Sequence, residues 1–281
     1  MQPPATISIL GCGWLGRPLG CHLAARAYQV KGSTTTREKL EQLESEDIQP
    51  YLLTLDPSLE GASDFFECDA LVLNIPPPRG VDDRQAYHLR QVDAVREAAA
   101  AAECPWILFA SSTGVYPKVP GVVTESDVPD DPESVEAPMR STGRLLIAAE
   151  RRLQNDARFD TTVIRFAGLY GGERKPARFL AGRTDVSGPE APINLIHRDD
   201  CIGIVEAILE QEATGEVFNA CADEHPTRRT FYTHEAQRLG LEPPTFADDG
   251  ATNKVVSNAR VKRVLGYSFR HPSPMGDPAR E

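Results

Sequence analysis

The sequence predicts an α/β fold, a doubly wound parallel sheet with helices on both faces, followed by a small C-terminal cap. Two observations predict it. Short, continuous apolar runs alternate with stretches of helical periodicity through the first two thirds of the 281 residues. Strands that are apolar throughout and separated by helices belong to a parallel sheet covered on both sides. The second observation is a glycine cluster, Gly11-Cys12-Gly13-Trp14-Leu15-Gly16, placed between the first apolar run and the first helical pattern.

Taken in order, Ile7 to Leu10 reads as a strand, Trp14 to Ala27 as a helix and Tyr28 to Gly32 as a second strand. Arg37 to Glu44 is a short helix and Tyr51 to Leu55 a third strand; Ala70 to Ile75 is a fourth, closed by Pro76, Pro77 and Pro78. Asp82 to Glu103 is a helix with Leu89, Val92 and Val95 on one face, and its run of alanines favours that conformation. Trp106 to Ala110 is a buried strand, Gly143 to Asn155 a helix, Thr161 to Phe166 a strand, Asp200 to Gln211 a helix and Val217 to Ala220 a late strand. Lys118 to Pro138, rich in Pro, Asp and Glu, reads as a long loop, and long loops in compact domains are often functional. After Ala222, Pro243, Pro244, Gly250 and Pro272 break the pattern. The expected division is a sheet domain of residues 5–167 plus 195–222, and a smaller, loop-rich cap of residues 168–194 plus 223–281.

Composition sets the outer bounds. With 30 Lys+Arg against 41 Asp+Glu the net charge is −11, which argues against a nucleic-acid partner, since that needs a basic footprint. No run of 18 apolar residues exists to span a bilayer. The opening MQPP lacks the basic region and cleavage site of a secretory signal, so a cytoplasmic setting is expected. Cys12, Cys21, Cys68, Cys104, Cys201 and Cys221 form no C-x-x-C and no zinc spacing with His. They read as reduced core thiols, and no metal site is expected.

The glycine cluster is a dinucleotide fingerprint because it follows a strand and opens a helix. Gly11 permits the tight turn, Gly13 lets a pyrophosphate approach the backbone, and Gly16 lets the helix pack on the strand. Trp14 and Leu15 complete the loop, whose helix N-terminus offers free N–H groups and partial positive charge. This is a Rossmann-type nucleotide site. Cofactor choice is set at the end of the second strand, where an NAD enzyme carries an acid for the ribose 2′-hydroxyl. Here stand Ser33, Thr34, Thr35, Thr36 and Arg37, with no acid before Glu38. Hydroxyls and a guanidinium suit a 2′-phosphate, so NADP is expected over NAD, with Thr34, Thr35 and Arg37 as its contacts. Asp56, after the third strand, is a candidate for the adenine amino group, and equally a turn residue before Pro57.

Four further segments carry a family resemblance. Phe109-Ala110-Ser111-Ser112-Thr113-Gly114-Val115-Tyr116, Val163-Ile164-Arg165-Phe166 with Gly168-Leu169-Tyr170-Gly171, Ile196-His197-Arg198-Asp199-Asp200, and Leu265-Gly266-Tyr267 resemble segments of the extended short-chain dehydrogenase/reductases, the NAD-dependent epimerase/dehydratase-like proteins. The resemblance implies a Rossmann domain with a small substrate cap, a small-molecule substrate, often a nucleotide sugar, and in many members a homodimer. It also implies a Tyr-x-x-x-Lys pair on the helix after the long loop. That spacing sets both side chains on one helical face, where the Lys lowers the Tyr pKa for proton exchange near neutral pH.

The chain departs from the family at that pair. Anchored on Glu150, the Tyr slot falls on Thr142 and the Lys slot on Leu146, and no lysine in the chain has a tyrosine four residues before it. The chain is therefore an atypical member. Ser112 matches the family's active-site hydroxyl and is the one catalytic candidate that survives. Arg144 could replace the cation but not the base. Tyr116 and Tyr170 are the nearest phenols, and Arg174, four residues past Tyr170, could depress its pKa. His197 with Asp199 and Asp200 invites acid/base or metal chemistry but reads better as a helix-leading segment. Asn194 could face substrate. Arg174, Lys175 and Arg178 could meet an anion or simply be solvated. The functional expectation is an NADP-dependent oxidoreductase or epimerase/dehydratase-like enzyme with a remodelled acid/base; the alternative is a non-catalytic NADP-binding redox sensor or regulator.

Overall fold

The computed structural model describes residues 5–78, 80–250 and 253–276. Seven strands build the main sheet: β1 (Thr6–Leu10), β2 (Gln29–Thr34), β3 (Gln49–Leu52), β4 (Ala70–Leu73), β5 (Trp106–Ser112), β6 (Asp160–Phe166) and β7 (Val217–Ala220). Their spatial order is β7-β6-β5-β4-β1-β2-β3. That is the doubly wound order of dinucleotide-binding sheets, which reverses direction beside β1, with one further strand at the edge. The β1–β2, β1–β4, β2–β3 and β4–β5 pairs are parallel. Among the described residues seven α-helices accompany the strands: α1 (Gly16–Ala24), α2 (Leu40–Glu44), α3 (Arg84–Ala101), α4 (Ser141–Gln154), α5 (Arg198–Glu210), α6 (Arg228–Arg238) and α7 (Ala259–Leu265). Among the described residues no helix is long and apolar enough to cross a membrane.

Two compact units share the chain. The first comprises residues 1–112, 141–164 and 208–217; the second comprises 113–140, 165–207 and 218–281. The core of the first is aliphatic and aromatic. Ile7 and Ile9 of β1, Leu71 and Leu73 of β4, and Ile107, Leu108 and Phe109 of β5 are fully buried, as continuous apolar strands require.

Several boundaries shift for local reasons. The first helix begins at Gly16, not Trp14, with Pro18 in its first turn, where a missing N–H costs no hydrogen bond. It ends before Ala27, whose φ of +64° reverses the chain. The predicted third strand splits: β3 stops at Leu52, and Thr54–Asp56 folds back antiparallel on Ser58–Glu60. The fourth strand ends at Leu73 and the fifth extends to Ser112. The expected long loop contains a strand, Gly121–Val123, paired in parallel with Lys254–Val256. The region after Ala222 is more regular than its prolines suggest, with α6 capped by the Thr227 hydroxyl, which accepts from Thr230 N at 3.2 Å.

Candidate active site

The glycine loop is a tight device in the first unit. Gly11 has φ +106°, and a Cβ there would stand 2.5 Å from the Asn74 carbonyl oxygen. A Cβ on Gly16 would stand 2.2 Å from the Gly11 carbonyl oxygen. At Gly13 nothing lies within 4 Å, leaving the open approach that a pyrophosphate needs. Leu15 occupies the N-cap of α1 with no side-chain cap, and no acid sits in the first turn. First-turn N–H groups thus face no competing side-chain acceptor, which is the condition for anion binding. The residues present fit a dinucleotide phosphate.

Ser33 holds this loop to β2. Its buried hydroxyl accepts from Gly11 N at 2.9 Å, and its carbonyl accepts from Cys12 N at 2.9 Å. From the other side, Asn74 Nδ2 donates to the Gly11 carbonyl at 3.0 Å. Neither clamp is legible in the sequence, since Ser33 and Asn74 lie 22 and 63 positions from Gly11. Beyond Ser33, the half-buried Thr34 accepts from Thr36 N at 3.1 Å, whereas Thr35 and Arg37 are exposed. Among the described residues Arg37 has no acidic partner. Asp56 is already engaged: on the exposed hairpin strand it accepts a hydrogen bond from the Tyr87 hydroxyl, which holds that phenol above its usual pKa.

Ser112 ends β5 and is half-buried. Its neighbour Ser111 points inward and donates to the buried carboxylate of Glu150 on α4. In the helix where the family carries its Tyr and Lys, Leu146 is 5% exposed and belongs to the core. Thr142, in the Tyr slot, does not stand alone. Arg84, the first residue of α3, donates from Nη1 to Thr142 Oγ1 at 3.0 Å, while its Nη2 lies 3.5 Å from the Pro77 carbonyl oxygen. Arg84 Nε is buried and has no hydrogen-bond partner among the described residues. Sequence reasoning missed Arg84 because 58 positions separate it from Thr142 and no motif spacing joins them. The weak available signal was Asp83, whose side chain caps α3 by accepting from Ala86 N at 3.1 Å and so places Arg84 in its first turn.

One turn along α3, His88 is fully buried. Gln91 Nε2 donates to the Leu55 carbonyl at 2.7 Å, leaving Gln91 Oε1 to face His88 Nδ1 at 3.1 Å. That assigns the hydrogen to Nδ1 and leaves Nε2 bare, without a partner. Burial, reinforced by the Arg84 charge, holds this imidazole below its usual pKa.

In the second unit, the other candidates are bound into structure. The Tyr116 hydroxyl donates to Asn219 Oδ1 at 2.7 Å and accepts from Arg165 Nη1 at 2.9 Å; burial pushes its pKa to about 12. Tyr170 is pushed up, not down as its spacing from Arg174 suggested, because burial and then the Asp200 charge outweigh any cation. Asn194 is engaged by a strand. Its Nδ2 donates to the Lys254 carbonyl at 3.0 Å and its Oδ1 accepts from Val256 N at 2.8 Å, bracketing the Lys254–Val256 strand. Asp200, wholly buried in the first turn of α5, accepts from the Tyr267 hydroxyl at 2.9 Å, Arg270 N at 2.7 Å and His271 N at 3.0 Å. His197, Asp199 and His271 bring potential ligand atoms within 4.8 Å of one another. Yet the two imidazoles stack, with centroids 3.7 Å apart, and His197 Nδ1 accepts from Asp199 N at 3.2 Å. The ring planes are tilted by 36°, and Asp199 Oδ2 lies 3.6 Å from His197 Nδ1 and 3.5 Å from His271 Nε2.

Comparison with known proteins fits this geometry. No family model matches the chain. It is 37% identical to Protein YeeZ of Escherichia coli (strain K12) over 276 residues, covering 96% of this chain and 97% of that one. It is 28% identical over 203 residues to a 3-diazoavenalumate denitrifying reductase from Streptomyces, covering 63% and 65% of the two chains. Among solved structures, a short-chain dehydrogenase/reductase superfamily protein from Agrobacterium tumefaciens with bound NAD superposes with a TM-score of 0.72 at 17% identity, over 96% of this chain and 93% of that one. The fold is that of the extended short-chain dehydrogenase/reductases. Within that fold class, the chain belongs to the family of Protein YeeZ.

Proposed function

We propose that this protein is an NADP(H)-dependent oxidoreductase that reduces a small-molecule carbonyl or comparable electrophile, using a donor-only anchor where its relatives in fold carry an acid/base pair. The observation that carries this reading is the Arg84–Thr142 hydrogen bond in the Tyr slot. Because Thr142 accepts from Arg84, its own O–H is left to donate. A guanidinium and a hydroxyl donor can hold an oxygen that is gaining negative charge. They cannot take a proton from an alcohol at neutral pH, since an arginine stays protonated and a threonine hydroxyl stays neutral. Such an anchor favours reduction over alcohol oxidation.

The other roles follow from position. Gly11, Gly13, Trp14, Leu15 and Gly16 would hold the pyrophosphate, and Thr34, Thr35 and Arg37 the 2′-phosphate. A nicotinamide, when bound, supplies the hydride. Ser112 would add a further hydroxyl to orient the substrate oxygen, and solvent would return the proton. The two comparison proteins described as a reductase and as NAD-bound support the class of chemistry.

The test has two stages. NADPH and NADH are titrated by fluorescence, and NADPH oxidation is then followed with a panel of aldehydes, ketones and quinones beside UDP-glucose and UDP-galactose. We expect turnover with a member of the carbonyl panel, little or none with the nucleotide sugars, and a loss of ~10–100-fold in kcat/KM for Arg84→Met, the worth of one charge-assisted hydrogen bond. Tight NADPH binding with no turnover across the panel favours the sensor or regulator instead.

A further inference from the structure

Cys68 and Cys104 meet at the N-terminal approaches of two neighbouring strands. In the parallel β4–β5 ladder Leu71 pairs with Ile107 and Leu73 with Phe109. Carrying that register back three residues on each chain sets Cys68 opposite Cys104. Neighbouring strands run about 4.8 Å apart, inside the roughly 4.4–6.8 Å range of Cα separations that a disulfide spans. The two sulfurs are already 3.7 Å apart, so a bond of about 2.05 Å needs only a closing movement of side chains. Spacing along the sequence hides the pair, because 36 residues and the whole of α3 lie between its members.

The two thiols are not equivalent. Cys68 is half-buried, whereas Cys104 is 1% exposed. Of the six thiols Cys68 alone is shifted toward the thiolate: its contact with the Cys104 thiol, with smaller contributions from neighbouring Ser8 and the Lys31 ammonium, outweighs burial. Lys31 Nζ spends its hydrogen bonds on two backbone carbonyls, Asp64 O at 2.5 Å and Glu67 O at 2.8 Å. Among the described residues no carboxylate pairs with it. Cys104 is shifted the other way, mainly by its hydrogen bond to Cys68, and Cys12, Cys201 and Cys221 are raised by burial. Cys21 is raised by burial and by the Glu46 carboxylate beside it. Nucleophilic sulfur follows thiolate character and access: Cys68 is the more exposed of the pair, and among the two half-buried thiols, Cys21 and Cys68, it is the one shifted toward the thiolate.

We propose that Cys68 and Cys104 form a reactive dithiol that hydrogen peroxide converts into a disulfide joining the approaches to β4 and β5. The Cys68 thiolate attacks one peroxide oxygen and the O–O bond breaks. That oxygen stays on sulfur as a sulfenic acid, and the other leaves as water after taking a proton from solvent. The Cys104 sulfur then attacks the Cys68 sulfur; the S–O bond breaks and hydroxide departs as a second water with the Cys104 proton. Two thiols lose two electrons in all, and the peroxide gains them. Thiol exchange with an external dithiol reverses the change.

The cross-link lies at the end of the sheet away from the glycine loop. From Cys68 to Asn74, which holds Gly11, an extended chain runs about 20 Å. Oxidation therefore leaves the cofactor Kd within about twofold, while closing a loop of this size in the unfolded chain raises the thermal midpoint by about 5 °C.

The test uses the full chain treated with hydrogen peroxide, its intact mass read before the remaining thiols are alkylated. We expect the intact mass to fall by two hydrogens, non-reducing peptide mapping to find a Cys68–Cys104 linkage, and dithiothreitol to restore both thiols. In Cys104→Ser, a sulfenic acid should be trapped on Cys68 by dimedone. Recovery of both cysteines alkylated, irreversible oxidation of Cys68 in the wild type, or a disulfide drawn from other cysteines would each overturn the proposal. The peptide map of the wild-type chain decides this even where a serine variant fails to fold.

Discussion

Removing the Arg37 guanidinium separates the two halves of the cofactor proposal. Arg37 is exposed and has no acidic partner among the described residues, so Arg37→Ala breaks no internal ion pair and its effect on stability should be within ~0.5 kcal/mol. A charge-assisted hydrogen bond is worth ~1.5–3 kcal/mol, and exposure to solvent places this contact at the low end. At 1.4 kcal/mol per factor of ten, NADPH should bind about 10–30-fold more weakly while NADH is unchanged. The difference should shrink at high salt, as an exposed charge contact must. Ser33→Ala is the matched control. It strips the Gly11 N–H of its 2.9 Å acceptor, and a buried N–H left unpaired costs ~1–3 kcal/mol. That loss loosens the pyrophosphate loop and so weakens both cofactors alike. Isothermal titration of both cofactors into both variants reads the result. Equal loss of NADPH and NADH in Arg37→Ala, or a phosphate-selective loss in Ser33→Ala, would refute the assignment of strap and selector.

Other expectations follow from the same structure. Gly11→Ala should abolish cofactor binding and lower the thermal midpoint, since a side chain there meets both a positive φ and a carbonyl oxygen 2.5 Å away; a variant that binds normally would mean the loop tolerates a Cβ. Tyr267→Phe removes one of the three donors to buried Asp200 and should cost ~1.5–3 kcal/mol in urea unfolding, whereas Gly203→Ala should act similarly by driving a Cβ to 2.4 Å from the Tyr267 hydroxyl. His88, His197 and His225 all have their pKa lowered, first by burial. The unfolded chain therefore binds protons that the folded chain refuses, and stability should be intact above about pH 6.5 and fall as pH drops below it. A urea midpoint that does not change between pH 7.5 and pH 5.5 would contradict that assignment.

Much of the fold was legible because its signals are local. A glycine cluster between a strand and a helix needs only six adjacent residues, and a strand buried on both faces declares itself by an unbroken apolar run, as Trp106 to Phe109 does. What escaped depends on partners distant in sequence. Gly121–Val123 is too short to show a period, and its partner strand is Lys254–Val256. Asn194 looks like a polar residue awaiting a ligand until its two hydrogen bonds to that second strand are seen. At the candidate site, the absence of a Tyr-x-x-x-Lys pair could be established by inspection of every lysine. Its replacement could not, because Arg84 reaches Thr142 from the head of a different helix. The thiols show the same limit: each was read as a small core hydrophobe, and only strand register brings Cys68 and Cys104 together.

The bracket that Asn194 makes around Lys254–Val256, and the three donors that Asp200 takes from Tyr267, Arg270 and His271, carry a consequence for the order of synthesis. About 130 residues leave the ribosome between Gly121 and its strand partner Lys254, which at roughly 5–20 residues per second takes about 7–26 s. Throughout that interval the Gly121–Val123 edge lacks its partner strand, and the carboxylate of Asp200, once made, waits past Lys254 for all three of its donors. The second unit is thus completed only by residues translated late, and a nascent chain stalled before Lys254 should remain open to protease across this unit.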